Sequence, residues 1–367
     1  MDNSIHNKVS LTKLLLKNRI HYYSKTLITN IDLPVLLNKE EITDKDWIEF
    51  SSKIRNKTLI ELSSKVVLFL ERFYNEINKQ DNKKSLKPNH NGRLLITFIT
   101  IAVFPNIVCK NNVKEKDRLI KKSKRLLNLI INLVKNKTVS NTFSVFKITY
   151  YFKECINTFS NWKKYDKEYT IYTMAKEYWL IKLKEMNFET KYLEDKQTFL
   201  NIFERERKSI RQEISYIFPK DISFFDNLIK DSYENVEKKL FWINVDYNLF
   251  KDDYNKKTIV DLFKETKRLI LNLIIKNKKL TEEINEMLDI DLIENIITLE
   301  TEIDFDFYYN KCTYILSILK QLQSPSMDED LEVFISAFKT KISAKVYLRE
   351  LTPFFFRYVL DSLERIH

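Results

Sequence analysis

The chain has 367 residues, a formal net charge of +11 from 62 basic and 51 acidic residues, and one glycine, Gly92. A hydrophobic fraction of 44% excludes an intrinsically disordered protein, because such chains lack the apolar residues that form a core. Glycine makes up about 7% of an average protein, and its scarcity disfavours hairpin turns, phosphate-binding loops and dinucleotide-binding turns. We therefore expect an all-α protein, an irregular multi-helix bundle with essentially no sheet.

The first helical regions are separated by a polar stretch. Apolar residues recur at three- and four-residue spacing over residues 58–80, where Thr58 and Glu61 have the spacing of a capping box. Residues 78–92 are polar, contain Pro88 and end at Gly92. This pattern predicts an N-terminal helical region at 1–77, a polar linker or loop at 78–92 and a helical domain at 93–367. The two helical regions can still share one core.

Helical patterns continue to the end of the chain, and no repeat of fixed period is visible. A break at Ser324-Pro325-Ser326 precedes a last helical stretch, for which Ser326 and Glu329 suggest a capping box and which Pro353 interrupts. Before that break we predict helices at 93–109, 113–135, 194–218, 224–250, 256–277, 281–295 and 304–323, together with an aromatic region at 143–179.

The cysteines and the apolar runs indicate the compartment. Cys109, Cys155 and Cys312 lie far apart among apolar residues, which favours a reducing compartment over a disulfide framework. The first residues contain no signal-peptide core, and the longest uncharged run, residues 94–109, is shorter than the ~20 residues of a membrane span. We expect a cytoplasmic protein without a membrane span.

The residues typical of catalysis are sparse. The four histidines show none of the spacings of a metal or catalytic motif. Asp289/Asp291 and Asp304/Asp306 form DxD pairs, which can hold Mg²⁺, but residues two apart point to different sides of a helix. We expect one aspartate of each pair to cap a helix or to pair with a cation. We therefore predict no catalytic residue, cofactor or metal, and a metal-dependent enzyme is the least favoured class.

Residues 110–125 form the strongest charge feature, with eight basic residues against Glu115 and Asp117. Four of the basic residues share one helix face and form a candidate face for an anionic partner: Arg118, Lys121, Lys122 and Arg125. Such a face can follow a phosphate backbone, although it lacks the aromatic residues that bind single strands. The other interpretation is a solvated face. Enrichment in Lys, Asn, Ile and Tyr is also typical of an AT-rich genome.

One stretch resembles a known family. Residues 281–295 contain Leu288-Asp-Ile-Asp-Leu292, and a helical segment then leads to the Ser-Pro break at Pro325. This order is similar to the signature region of the T-complex protein 11 family, and the upstream pair Phe241-Trp242 is similar to that family's Phe-Trp pair. The resemblance is best over about residues 230–330, and weaker similarity begins at about residue 90.

The resemblance implies an all-helical, non-enzymatic protein, because the family offers no catalytic residues to carry over. Animal and fungal relatives are associated with cyclic-AMP and protein kinase A signalling. We therefore expect an adaptor or regulatory protein that binds another protein, with nucleic-acid binding through residues 110–125 as the alternative. The motif residues have types that suit helix ends and packing: Phe241, Trp242, Leu288, Asp289, Asp291, Leu292 and Pro325.

Overall fold

A computed structural model describes residues 2–39, 41–78, 88–135, 142–188, 193–250, 256–275, 277–299, 304–344 and 346–366. Within these ranges the regular structure is helical and no strand occurs, so the all-α prediction is confirmed. In the same ranges no helix is long and apolar enough to cross a membrane. The chain divides into two compact units, Met1–Ile171 and Tyr172–His367.

The first unit is built around the pair of helices α4 and α5. Helix α4 packs against α1 and α5, and α7 packs against α5 and α1. Helix α8 contributes to both units, and in the first unit its Phe152 and Phe159 rings contact Phe98 of α5 at 5.7 and 6.0 Å. The bounds are α1 Asp2–Asn30, α2 Leu33–Leu37, α3 Asp44–Ile54, α4 Lys57–Asn78, α5 Pro88–Val103, α6 Pro105–Val108, α7 Lys116–Lys135 and α8 Thr142–Met186.

The lone glycine serves helix packing rather than a turn. Residues 88–92, predicted as the end of a polar linker, form the first part of α5, and residues 79–87 lie outside the described residues. A Cβ on Gly92 would lie 2.1 Å from Ser64 Oγ, 2.7 Å from Ser64 N and 2.9 Å from Ile60 O. The backbones of α4 and α5 therefore cross at a distance that only glycine allows.

The second unit has its own apolar core. Phe263 lies at its centre, with the rings of Phe356 and Tyr308 at 5.0 and 5.8 Å, and helices α11 to α17 all contribute buried side chains. The bounds are α9 Leu193–Ile217, α10 Ile222–Leu228, α11 Tyr233–Phe250, α12 Lys256–Leu273, α13 Lys278–Met287, α14 Ile290–Leu299, α15 Phe305–Leu322, α16 Asp328–Ser343 and α17 Leu348–Ile366. A 3₁₀ turn, Pro325–Met327, links α15 to α16.

Four predicted helix boundaries are wrong. The helix predicted at 93–109 divides into α5 and α6 at Phe104, the residue before Pro105. The pattern at 224–250 divides into α10 and α11, and α11 begins after Ser232, whose hydroxyl oxygen accepts a 3.1 Å hydrogen bond from Asn235 N–H. The pattern at 281–295 divides into α13 and α14 at Leu288 and Asp289. Pro353 does not interrupt the last stretch but lies inside α17, and the division comes earlier, since α16 ends at Ser343 and α17 begins at Leu348.

Both predicted capping boxes are also wrong. Asn56 caps α4 in place of Thr58, because Asn56 Oδ1 accepts a 2.9 Å hydrogen bond from Thr58 N–H. Ser326 Oγ lies 2.7 Å from Ser324 Oγ, and α16 begins at Asp328 without a side-chain cap. A capping box is present instead at Thr43, the residue that precedes α3.

Candidate partner-binding surfaces

Two residues of the predicted basic face on α7, Lys122 and Arg125, contact α8. The Arg125 guanidinium lies 4.6 Å from the ring centre of Tyr151. Lys122 Nζ donates hydrogen bonds to Glu154 Oε2 at 2.8 Å and to Thr158 Oγ1 at 3.0 Å. The nearby Lys122 ammonium lowers the pKa of the Glu154 carboxyl below its usual value. The Lys122 side chain is therefore engaged within the first unit.

Near the start of α7, one cation pairs within the basic segment and one contacts α8. Arg118 pairs with Glu115 at 3.3 Å, and Lys114 Nζ lies 5.8 Å from the Tyr165 ring centre. Lys121 and Lys124 are exposed on the part of α7 that turns away from the apolar core. The four predicted residues therefore differ in role. Lys122 is mostly buried against α8, whereas the side chains of Arg118, Lys121 and Arg125 are exposed.

Aromatic side chains adjoin this basic helix, which the sequence pattern of α7 alone did not indicate. Phe143 and Tyr150 of α8 are 66% and 52% exposed, and the Tyr150 ring meets the Tyr151 ring edge-on at 5.6 Å. The sequence contained both parts of this surface as separate features, the basic segment at 110–125 and the aromatic region at 143–179. Only the packing of α7 on α8 brings them together.

The second surface is the corner between α13 and α14. Leu288 is fully buried in the core, and Asp289 Oδ1 accepts hydrogen bonds from Asp291 N–H at 3.0 Å and Leu292 N–H at 3.1 Å. Asp289 thus caps α14. Its negative charge is also favourable beside the N-terminus of that helix, which carries partial positive charge. Asp291 provides the N–H donor, while its own side chain is exposed.

Two lysines from neighbouring helices fix the end of α13. Lys311 Nζ of α15 donates a 2.6 Å hydrogen bond to Met287 O, and Lys267 Nζ of α12 lies 3.5 Å from Asn285 O. Cations are favourable here because the last carbonyls of a helix carry partial negative charge. Burial lowers the pKa of Lys311, and the Asp289 carboxylate opposes that shift.

The exposed side chains that residues 282–294 contribute to this corner include two apolar ones at its centre and four carboxylates. Met287 and Leu292 are 41% and 46% exposed. Residues 281–299 contain no basic residue. We call this surface the acidic corner, defined by Met287 and Leu292 with the exposed carboxylates of Glu282, Glu286, Asp291 and Glu294.

Comparison with known protein families identifies the part of the chain that contains this corner. The family model of T-complex protein 11 matches residues 216–352. Residues 216–352 are thus similar to the T-complex protein 11 family. The predicted resemblance is confirmed over this stretch, whereas the weaker similarity near residue 90 lies outside it. No curated protein and no solved structure matches the chain.

The other motif residues of the matched stretch lie at helix contacts and ends. Trp242 is buried on α11, and the Arg357 guanidinium of α17 lies 5.1 Å from its ring centre while donating a 2.7 Å hydrogen bond to Asp246. Phe241 is partly exposed, with its ring edge-on to Trp242 at 5.2 Å. Pro325 opens the 3₁₀ turn, where its fixed φ suits the first position.

The residues considered for catalysis are not brought together. Asp304 Oδ1 accepts hydrogen bonds from Asp306 N–H and Phe307 N–H at 2.9 and 3.2 Å, so the second DxD pair repeats the capping geometry of the first. In the described part of the chain, no three His, Cys, Asp or Glu residues cluster as metal ligands would. Burial raises the pKa of the Cys109 and Cys155 thiols to about 12.

Proposed function

We propose that this protein is a non-enzymatic, cytoplasmic adaptor or regulatory protein whose acidic corner binds a basic segment of a partner protein. The family match supports this proposal, since T-complex protein 11 is not a known enzyme family. The resemblance further implies a place in cyclic-AMP and protein kinase A signalling. The partner is then a protein with clustered lysines or arginines beside an apolar side chain.

The observation that carries the proposal is the contrast between the two sides of the corner. Leu288, the Asp289 cap and the Lys311 contact hold the backbone in place, while Met287 and Leu292 remain exposed. Apolar side chains at the centre of a polar rim are the usual source of affinity in protein interfaces. The surrounding carboxylates would steer a basic partner and exclude an acidic one.

The alternative uses of these residues have less support. Metal binding at the DxD pairs would compete with hydrogen bonds that the first aspartate of each pair already makes to the backbone. Phosphate binding by the predicted set of Arg118, Lys121, Lys122 and Arg125 would compete with the Lys122–Glu154 ion pair.

Site-specific photocrosslinking in the native cell tests the proposal. A benzophenone amino acid replaces Met287 or Leu292 in the full chain, and Val333, which is also exposed in this unit, provides the control position. We expect a protein adduct at positions 287 and 292 that is absent at 333, with a basic segment at the crosslinked site. Equal adducts at all three positions, or none at 287 and 292, would contradict the proposal.

A charge reversal sharpens the test. Glu282→Lys with Glu286→Lys should abolish the adduct, and lysines toward the end of α13 are compatible with its dipole, so the fold should be retained. The matched control is Glu206→Lys with Glu213→Lys on α9, where both side chains are exposed. Loss of the adduct in the control would indicate a nonspecific charge effect and count against the corner.

A further inference from the structure

Helix α7 and the adjoining part of α8 concentrate positive charge. Helix α7 carries seven basic residues and only Asp117 as an acid. Over residues 142–164, α8 carries four lysines and only Glu154 as an acid, and Lys122 neutralises that carboxylate at 2.8 Å. Lys121, Lys124 and Arg125 of α7 have exposed side chains, and Lys147 of α8 is half-buried.

Exposed rings lie among these cations. Lys147 Nζ lies 5.9 Å from the Phe143 ring centre, and Arg125 covers the Tyr151 ring next to the half-exposed Tyr150. Phe143 and Tyr150 are seven residues apart on one helix, so the two rings are roughly 10 Å apart along the axis. We call this the basic–aromatic surface, defined by Lys121, Lys124, Arg125, Phe143, Lys147 and Tyr150.

We infer that the basic–aromatic surface binds a single-stranded nucleic acid. The lysines and Arg125 would contact successive phosphates, and unpaired bases would stack on Tyr150 and Phe143. Such stacking tolerates any sequence, because every base has a π-face. The inference concerns the first unit and does not rest on the proposed function of the acidic corner.

The geometry favours a single strand over the two other polyanions that a basic surface attracts. Duplex bases are already stacked and would leave the exposed rings unused. A membrane surface would need an apolar helix face to insert, but no large apolar side chain of α7 is exposed, and Leu119, Leu126 and Ile130 are buried. Phe143 and Tyr150 are the large apolar side chains exposed on α7 and residues 143–164 of α8.

Binding of labelled oligonucleotides to the full-length chain tests the inference. The probes are oligo(U) RNA and oligo(dT) DNA, a duplex of equal length, and vesicles containing phosphatidylserine. We expect both single strands to bind with a dissociation constant on the order of micromolar at low salt, and more tightly than the duplex or the vesicles. The two single-strand arms show whether RNA or DNA is preferred.

Two kinds of variant separate the phosphate contacts from the stacking contacts. Lys121→Glu with Lys124→Glu should reduce the slope of log affinity against log salt by about 1.4, since each phosphate contact on a single strand contributes about 0.7. Tyr150→Ala should weaken binding about tenfold at fixed salt and leave the slope unchanged. The matched controls, Lys278→Glu with Lys279→Glu and Tyr216→Ala, change exposed residues of the second unit and should have neither effect.

Three results would overturn the inference. The first is binding that the control variants weaken as much as the test variants. The second is preference for the duplex, together with an unaffected Tyr150→Ala variant. The third is vesicle binding without oligonucleotide binding, which would assign the surface to a membrane.

Discussion

Gly92 allows α4 and α5 to approach to backbone contact. Alanine at this position would favour the helix by about 1 kcal/mol, but its Cβ would overlap Ser64 N and Ile60 O, neither of which can move without moving α4. Overpacking of this kind costs about 1–3 kcal/mol. The overpacking cost less the gain in helix propensity leaves a net loss, so we expect Gly92→Ala to lower the free energy of unfolding by about 1 kcal/mol, measured by denaturant unfolding.

A second variant identifies the cause of that loss. Ser64→Ala in the Gly92→Ala background removes the 2.1 Å contact with Ser64 Oγ but leaves both backbone contacts. It should therefore restore only part of the lost stability. An unchanged or increased stability in Gly92→Ala would show that the two helices are farther apart than described.

The cysteines are predicted to be unreactive in the folded protein. Burial raises the pKa of Cys109 and Cys155 to about 12 and that of Cys312 well above its usual value. Because the thiolate is the reactive form, alkylation near neutral pH should be slow in the native chain and rapid at all three thiols after unfolding. Fast native labelling at any of them, read by mass spectrometry, would contradict the described burial.

Asp46 gives the first unit a stability that depends on pH. Hydrogen bonds from Lys39 and from Thr43 lower its pKa to about 2, against about 3.9 in an unfolded chain. The carboxylate therefore stabilises the fold fully above the unfolded pKa, and the contribution is lost as the pH falls toward 2. The stability difference between the parent chain and Asp46→Ala should disappear over that interval. A difference that is constant down to pH 2 would contradict the capping role.

At the scale of the helix, the two aspartates of the acidic corner should respond differently to substitution. Asp289 caps α14, so Asp289→Ala should cost about 1 kcal/mol, whereas Asp289→Asn should be nearly neutral because Asn is an equally good cap. Asp291→Ala should change stability by no more than about 0.5 kcal/mol, as at most exposed positions. Equal losses at both positions in thermal unfolding would indicate a role other than capping.

Helix existence was predictable from apolar periodicity, but the break at Leu288 was not. Ile284, Leu288, Ile293 and Ile297 are all buried, at spacings of four, five and four residues. One irregular spacing is too small a departure to distinguish two helices from one. The predicted cap of α4 was wrong for a related reason. Asn56 and Thr58 both have side chains that can cap a helix, and only the backbone path decides between them.

At the scale of the whole molecule, charge is segregated between the two surfaces. The basic–aromatic surface belongs to the first unit and the acidic corner to the second. The amino-acid composition showed the excess of basic residues, and the family resemblance was carried by residues 281–295. The pairing of Lys122 with Glu154, 32 residues away, depends on tertiary packing that no local pattern encodes. Which cations remain exposed could therefore be determined only from the structure.

The core of the second unit extends beyond the part of the chain that matches the family. The match ends at residue 352, in the first turns of α17, whereas Phe355, Phe356, Val359 and Leu363 of the same helix are buried in the core. Losing one such side chain costs about 2–5 kcal/mol, and a domain is stable by only about 5–15 kcal/mol. We therefore expect a fragment of residues 172–352 to lack cooperative thermal unfolding by circular dichroism, and a fragment of residues 172–366 to regain it. Equal, cooperative transitions in both fragments would show that α17 is not part of the stable core.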